Sequence, residues 1–208
     1  MNRLGRQIGG WCGVMSVVLV SAAGAQAKMG TASAPAAVQW RIDPVHSEIS
    51  FRIRHLLGRV RGRFDRWDGV LVTRGFEWSQ ASVKVSVQAR SIDTGNEVRD
   101  EDLRSDRFFA VEKFPAITFE SSSVVQKDDS IMLTGLLTIK GITRPVVFQG
   151  EYHGVMKDVN GNPRIAFDGT AAIDRKEFGI TWNQYLEAGT RLGDVVDLEI
   201  AIEAVRLE

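Results

Sequence analysis

The chain contains one cysteine, Cys12, and that scarcity excludes a good deal. A lone thiol inside an apolar N-terminal run leaves no disulfide framework and, beyond that run, no thiol nucleophile. Three histidines are few for a metal site. No H-E-x-x-H helix, G-x-S-x-G elbow or phosphate-binding glycine loop occurs, so neither a metal nor a cofactor is expected. Two tyrosines are too few for the aromatic girdles of an outer-membrane barrel. Charge of one sign is also lacking, since 26 basic residues meet 26 acidic ones. Nothing electrostatic therefore favours a nucleic-acid partner.

Long hydrophobic runs are absent except at the start. Arg3 and Arg6 precede an apolar stretch from Ile8 to Ala25 that ends in Ala25-Gln26-Ala27, an A-x-A cleavage pattern. Met1 to Ala27 is read as a secretory signal cleaved after Ala27, which makes the periplasm the expected compartment. Glycines interrupt the stretch, against a membrane anchor, and Cys12 is misplaced for lipid attachment at a mature N-terminus. Removing the signal leaves 24 basic against 26 acidic residues. Residues 28–38 are small and Pro/Ala-rich, a disordered leader. Residues 39–208 are then one domain, and roughly 170 residues suffice for a core without disulfides.

Period-two alternation fills that domain. In "ASVKVSVQAR", Ala81, Val83, Val85, Val87 and Ala89 share one face and Ser82, Lys84, Ser86, Gln88 and Arg90 the other. Similar strands are predicted from Glu48 to Arg54, between Arg59 and Val72, and over Ala116–Val125, Ser130–Ile139, Val146–Tyr152, Arg164–Ile173 and Val195–Leu207. Lys127-Asp128-Asp129, Lys140-Gly141 and Asn160-Gly161-Asn162-Pro163 supply turns between neighbours. About eight antiparallel strands with one apolar face each must pair as a sandwich or close as a barrel, either filled or holding one small ligand. Pattern alone leaves that choice open.

Two segments break the meander. In "SIDTGNEVRDEDLRSDRFF", Thr94 and Glu97 fit a capping box, and Glu97, Asp100, Glu101 and Asp102 load the N-terminal end of a helix that Arg104 follows. Val98 and Leu103 offer it a thin apolar stripe for docking, and Phe108-Phe109 lead back to the core. In "DRKEFGITWNQYLEAGTRLGD", Phe178, Ile180, Trp182, Tyr185 and Leu186 gather large apolar groups in a connection too long for a hairpin, so burial is expected. Asp100, Asp102, Arg99 and Arg104 could serve as acid, base and anion clamp, yet no nucleophile accompanies them. Their plainer role is a solvated, capped helix, with Arg99 singled out as a candidate for a ligand head group. His46, after Asp43-Pro44-Val45, suits a hydrogen bond at a strand start or the lining of a pocket mouth.

The blocks "IDPVHSEISFRIRHLLGRVRGRFDRWDGVL", "SIDTGNEVRDEDLRSDRFFAVEKFPAITFESSSV", "LTGLLTIKGITRPVVF" and "IDRKEFGITW" with "LGDVVDLEIAIEA" resemble, in order, the signature blocks of the YceI-like family. The resemblance spans Trp40 to Glu208. It implies an all-β, lipocalin-like antiparallel barrel with a short inserted helix, whose elongated cavity holds a polyisoprenoid, a quinone tail or another long amphiphile. It also implies an exported protein, often stress-induced, without established catalysis. On that basis Phe51, Phe119, Phe148 and Phe167 line a tunnel, and Phe108, Phe109, Phe178, Trp182, His46, Asn96 and Arg99 complete the candidate site. Asp102 replaces a usual histidine and Arg107 a usual aspartate, which bears on head-group specificity. Open alternatives are a filled barrel serving in protein contacts, and an enzyme using His46 or Asp100/Asp102 on an isoprenoid pyrophosphate. Also open are a homodimer and a transient membrane-protein partner.

Overall fold

The computed structural model describes residues 36–75, 77–183, 185–186 and 189–207. The expected signal and residues 28–35 of the expected leader lie outside them. In chain order the strands are β1 (Ala37–Ile42), β2 (Glu48–His55), β3 (Gly58–Phe64), β4 (Trp67–Arg74), β5 (Glu77–Gln88) and β6 (Ile92–Asp93). Helix α1 (Glu97–Arg104) follows, then β7 (Ala116–Lys127), β8 (Ser130–Ile139), β9 (Ile142–Lys157) and β10 (Pro163–Asp174). A small ribbon of β11 (Tyr185–Leu186) and β12 (Gly189–Thr190) precedes β13 (Leu192–Arg206).

These pieces form eight antiparallel courses. β1 and β2 are the two halves of one bent course, running beside β4 and β3 with Trp40 opposite Leu71 and Phe51 opposite Gly62. β5 and β6 form the next course, interrupted by a 3₁₀ turn at Ala89–Ser91. β7 to β10 continue as hairpins, and β13 pairs both with β10 and with β1 and β2, which closes the ring. A closed sheet has no exposed edge. The expected up-and-down meander is therefore present as an eight-stranded barrel, and each sequence-predicted strand falls on one course. At Lys140–Gly141 both residues take positive φ, 51° and 72°, as a two-residue hairpin demands.

The first course starts earlier than expected. β1 begins at Ala37, so Ala37 and Val38 belong to the barrel and not to a leader. Trp40 is 1% exposed and donates from Nε1 to Thr73 Oγ1 at 3.0 Å. Alternation turns the apolar face inward: β4 buries Trp67, Gly69, Leu71 and Thr73 and exposes Asp68 and Val70. Outside, Lys84 pairs with Glu120 at 2.7 Å. This is the reverse of a lipid-facing barrel wall.

One end of the barrel is clasped by charge. In the bend between β1 and β2, Asp43 accepts from Arg164 at 2.8 Å, and the same guanidinium reaches Glu203 at 2.5 Å and Asp158 at 3.3 Å. Arg164 and then His46 hold the Asp43 carboxyl well below the usual carboxylate range. Asp158 is lowered too, first through the Asn162 backbone N–H. A carboxyl with a depressed folded pKa stabilises fully above its unfolded pKa, near 3.9, and loses that contribution as pH falls through the folded value. The urea midpoint should accordingly drop as pH is lowered from 5 toward 2, with about 4 as the onset. Arg164→Met should lower the midpoint at neutral pH and flatten this decline; an unchanged slope would show that the clasp is not its source.

Candidate functional site

Phenylalanines in strand interiors ordinarily fill a small barrel. Here two of them lie flat because a glycine faces them from the neighbouring strand. A Cβ on Gly135 would stand 2.4 Å from Phe119 Cζ, and one on Gly62 would stand 2.4 Å from Phe51 Cζ. Each ring therefore covers the wall where a side chain is missing, a use of strand glycine as a site of close approach. Phe119 and Phe148 meet edge to face at 5.6 Å along the wall, not across the axis. What remains is a cavity of about 920 Å³, walled by aliphatic side chains such as Val85, Leu133, Leu198 and Ile200. That is near the upper end of small-molecule sites.

The two ends differ. At the clasped end Trp78 and Phe167 form a floor, 4.9 Å apart, and Tyr152 packs on both at 4.8 and 5.1 Å. Trp78 and Phe167 come from opposite sides of the ring, so these rings do meet across the axis. The polar lining gathers at the other end, where Asn96, Arg99, Asp102 and Arg107 border the cavity. Both segments that break the meander lie there.

Helix α1 starts two residues later than the capping box foresaw. Its cap is Asn96, which accepts from the Arg99 N–H at 3.0 Å, and Glu97 pairs with Arg104 instead of reaching back. Arg104 also meets Glu101 at 2.7 Å, not Asp100. Asp100 is buried and accepts from the Thr94 hydroxyl at 2.5 Å and the Thr94 N–H at 3.0 Å. Arg99 donates to that hydroxyl at 2.7 Å and to the Thr94 carbonyl at 2.9 Å. Leu103 packs on the core, whereas Val98 is 83% exposed and does not dock. Asp102 and Arg107 pair with each other as an ion pair, and the Arg107 guanidinium lies 5.5 Å from the Trp182 ring centroid. Phe108 meets Trp182 at 5.3 Å. The first segment is thus tied to the second.

The second segment is organised by Arg175, a residue that sequence reasoning passed over. Its guanidinium is buried and donates to the carbonyls of Gly193 at 2.8 Å, Ile180 at 2.5 Å and Trp182 at 2.9 Å, and to Asp194 at 3.2 Å. Burial pushes its pKa down, against the pull of Asp194. Phe178 and Ile180 are buried as expected, while the side chains of Tyr185 and Leu186 lie outside the described residues. Arg175→Met would leave several buried carbonyls without a donor, at a cost of about 3 kcal/mol. A melting point lower by roughly 6–12 °C is expected, together with proteolysis confined to residues 175–191.

Of the predicted site residues, Phe51, Phe119, Phe148, Phe167, Phe108, Phe109, Phe178, Trp182, Asn96 and Arg99 all border the cavity. His46 does not. It lies exposed in the bend at the clasped end, with Nδ1 3.0 Å from Asp43 Oδ2, because the chain turns there before β2 begins. With Asp43 and Glu203 it makes a group whose donor atoms lie within 4.8 Å, but Arg164 already holds both carboxylates. The histidine at the mouth is His55, whose Nε2 lies 3.0 Å from Arg191 Nε. Its signal was parity: Ile49, Phe51, Ile53 and His55 share one face of β2. Asp100 and Asp102 are both committed to structural partners, and the hydroxyls beside them are committed too: Thr94 donates to Asp100 and Ser105 to the Asp102 carbonyl.

A family model described as a YceI-like domain matches residues 40–204. The UPF0312 protein of Pseudomonas aeruginosa is 36% identical over 179 residues, covering 85% of this chain and 91% of its own. The crystal structure of a Campylobacter jejuni YCEI protein superposes with a TM-score of 0.65 at 28% identity, covering 74% of this chain and 90% of its own. A polyisoprenoid binding domain from Saccharophagus degradans gives a TM-score of 0.61 at 16% identity, covering 80% and 97%.

Proposed function

Because this chain belongs to the YceI-like family, we propose that its barrel carries the tail of a polyisoprenoid, a quinone or a comparable long amphiphile. One observation carries this reading: an apolar cavity of about 920 Å³, floored by Trp78 and Phe167 and bordered by most of its polar groups at the other end. Each methylene buried there contributes roughly 0.8 kcal/mol. Burial reads length and girth, not functional groups, so the site tolerates varied tails. Asn96, Arg99 and the Asp102–Arg107 pair stand where a head group would emerge. The polyisoprenoid-binding domain that shares the fold adds support for the ligand class. The cavity's apolar lining favours binding over catalysis. Residues Met1 to Ala27 support export to the periplasm as a carrier or scavenger, and a protein recovered from that compartment should begin at Lys28.

Organic extraction of protein purified from its own host, followed by mass spectrometry, tests the ligand. A prenyl or other long-chain lipid in stoichiometric amount is expected. Protein that extracts clean and takes up no fluorescent fatty amphiphile would end the proposal.

A further inference from the structure

The β2–β3 hairpin projects beside the polar end of the cavity, and its tip is built unlike an ordinary turn. His55 pairs with Gly58, so Leu56 and Leu57 alone make the turn. Such turns favour Asn-Gly, yet here Leu56 takes φ 54°, a left-handed conformation costly for a bulky residue. Leu57 is 99% exposed and Leu56 45%. The tip is held in place by the Leu56 N–H, which donates to the Arg191 carbonyl at 2.8 Å. A left-handed bulky residue and exposed apolar surface thus coincide at one tip.

Along the hairpin itself the charge behind this tip is of one sign. From Ile49 to Phe64 the chain has Arg52, Arg54, Arg59, Arg61 and Arg63 and no carboxylate. Arg52 and Arg63 have acidic partners in Glu199 and in Asp65 and Asp93, and Arg54 bonds its own turn. Arg59 and Arg61 are exposed and make no side-chain hydrogen bond or ion pair among the described residues. At about 3.3 Å per residue they stand roughly 7 and 13 Å behind Leu57. An apolar group that enters a bilayer interface sinks about 5–10 Å, which brings such arginines to the phosphates. On α1, Glu97 and Glu101 share Arg104, Asp102 pairs with Arg107, and Asp100 is buried on Thr94. Val98 adds a second exposed apolar group on that rim. Val45 and Val159 at the clasped end are as exposed, but there three carboxylates, Asp43, Asp158 and Glu203, share the one guanidinium of Arg164, a balance unsuited to an anionic surface.

We propose that the β2–β3 hairpin docks on an anionic phospholipid bilayer, Leu57 entering the interface and Arg59 and Arg61 meeting phosphates, so that the polar end of the cavity faces the lipid. A tail could then pass between membrane and barrel without crossing water. The purpose rests on the carrier reading; the evidence for docking does not.

The full chain is floated with phosphatidylcholine vesicles, with and without about a third phosphatidylglycerol, at low and high salt. Any contribution of residues 1–35 is common to wild type and variants, so their difference reads the hairpin. An arginine near an anionic surface is worth roughly fivefold in binding. The Arg59→Ser/Arg61→Ser double variant should bind anionic vesicles about 25-fold more weakly and neutral ones unchanged, and salt should mimic it. Leu57→Asp should abolish the anionic preference. Both variants should still take up a fluorescent fatty amphiphile from solution, which shows an intact barrel. Equal flotation of wild type and both variants, or capture by a protein partner with no preference for anionic vesicles, would overturn docking. If amphiphile uptake persists in that event, the carrier reading survives. Arginine-dependent flotation in a wild type that takes up no amphiphile would uphold docking and remove the carrier.

Discussion

Gly169→Trp should abolish uptake of a long amphiphile while leaving the barrel folded. Gly169 lies on the inner face of β10, between Phe167 and Ala171, and lines the cavity. A Cβ there would meet nothing nearer than Gln149 O and Ile200 Cγ1, both at 3.5 Å, which is ordinary contact. Its φ is not positive, so a larger residue needs no backbone change. The indole would project into the middle of the lumen, where the tail must pass. If the tail loses about five methylenes of burial, at about 0.8 kcal/mol each, the loss is roughly 4 kcal/mol, or about three orders of magnitude in Kd. Stability should hold or rise slightly, because the indole gains apolar contacts and a strand glycine is removed. Titration with a fluorescent amphiphile and thermal melting read the two quantities separately. Retained affinity would mean that the tail does not run through the barrel's middle.

The course of the strands was legible because period-two alternation is a direct image of a wall with an inside and an outside. Val83, Val85 and Val87 show it plainly. β1 escaped because Pro44 and the Asp43 turn cut its course short of the clearer alternation in β2, and six inward or outward choices over Ala37–Ile42 look much like a leader. The hollow interior was not legible from periodicity. It depends on cross-strand partners, Phe119 over Gly135 and Phe51 over Gly62, and a pairing between distant segments leaves no mark in a single strand's pattern. The helix cap slipped from Thr94 to Asn96 because Thr94 is occupied by Arg99 and Asp100, a tertiary use of a residue that looks like a cap. The same holds for Arg175. An arginine in a charged loop reads as solvent-facing until the carbonyls around it are seen.

Gly150 lies directly opposite Gly169 in the β9–β10 ladder, yet its replacement should have the opposite consequence. A Cβ on Gly150 would lie 1.8 Å from the Asp168 carbonyl oxygen and 2.5 Å from Gly169 Cα. Those are backbone atoms, so no rotamer change relieves the clash. The two strands must separate, and the ladder around Gly169 and Asp168 loses its hydrogen bonds. The register shifts just before this point, between Ile165 and Phe167, where β9 carries one extra residue and Gly154 takes φ 94°. Gly150→Ala is therefore expected to cost about 3 kcal/mol or more, and Gly150→Val to prevent folding of the barrel. The first should melt roughly 6–12 °C lower, and the second should be recovered only from the insoluble fraction. Because the clash lies in the ladder and not in the lumen, added amphiphile should not rescue Gly150→Val. A soluble, ligand-binding Gly150→Val protein would show that β9 and β10 tolerate a wider spacing, and that the glycine pair serves only to clear room for the tail.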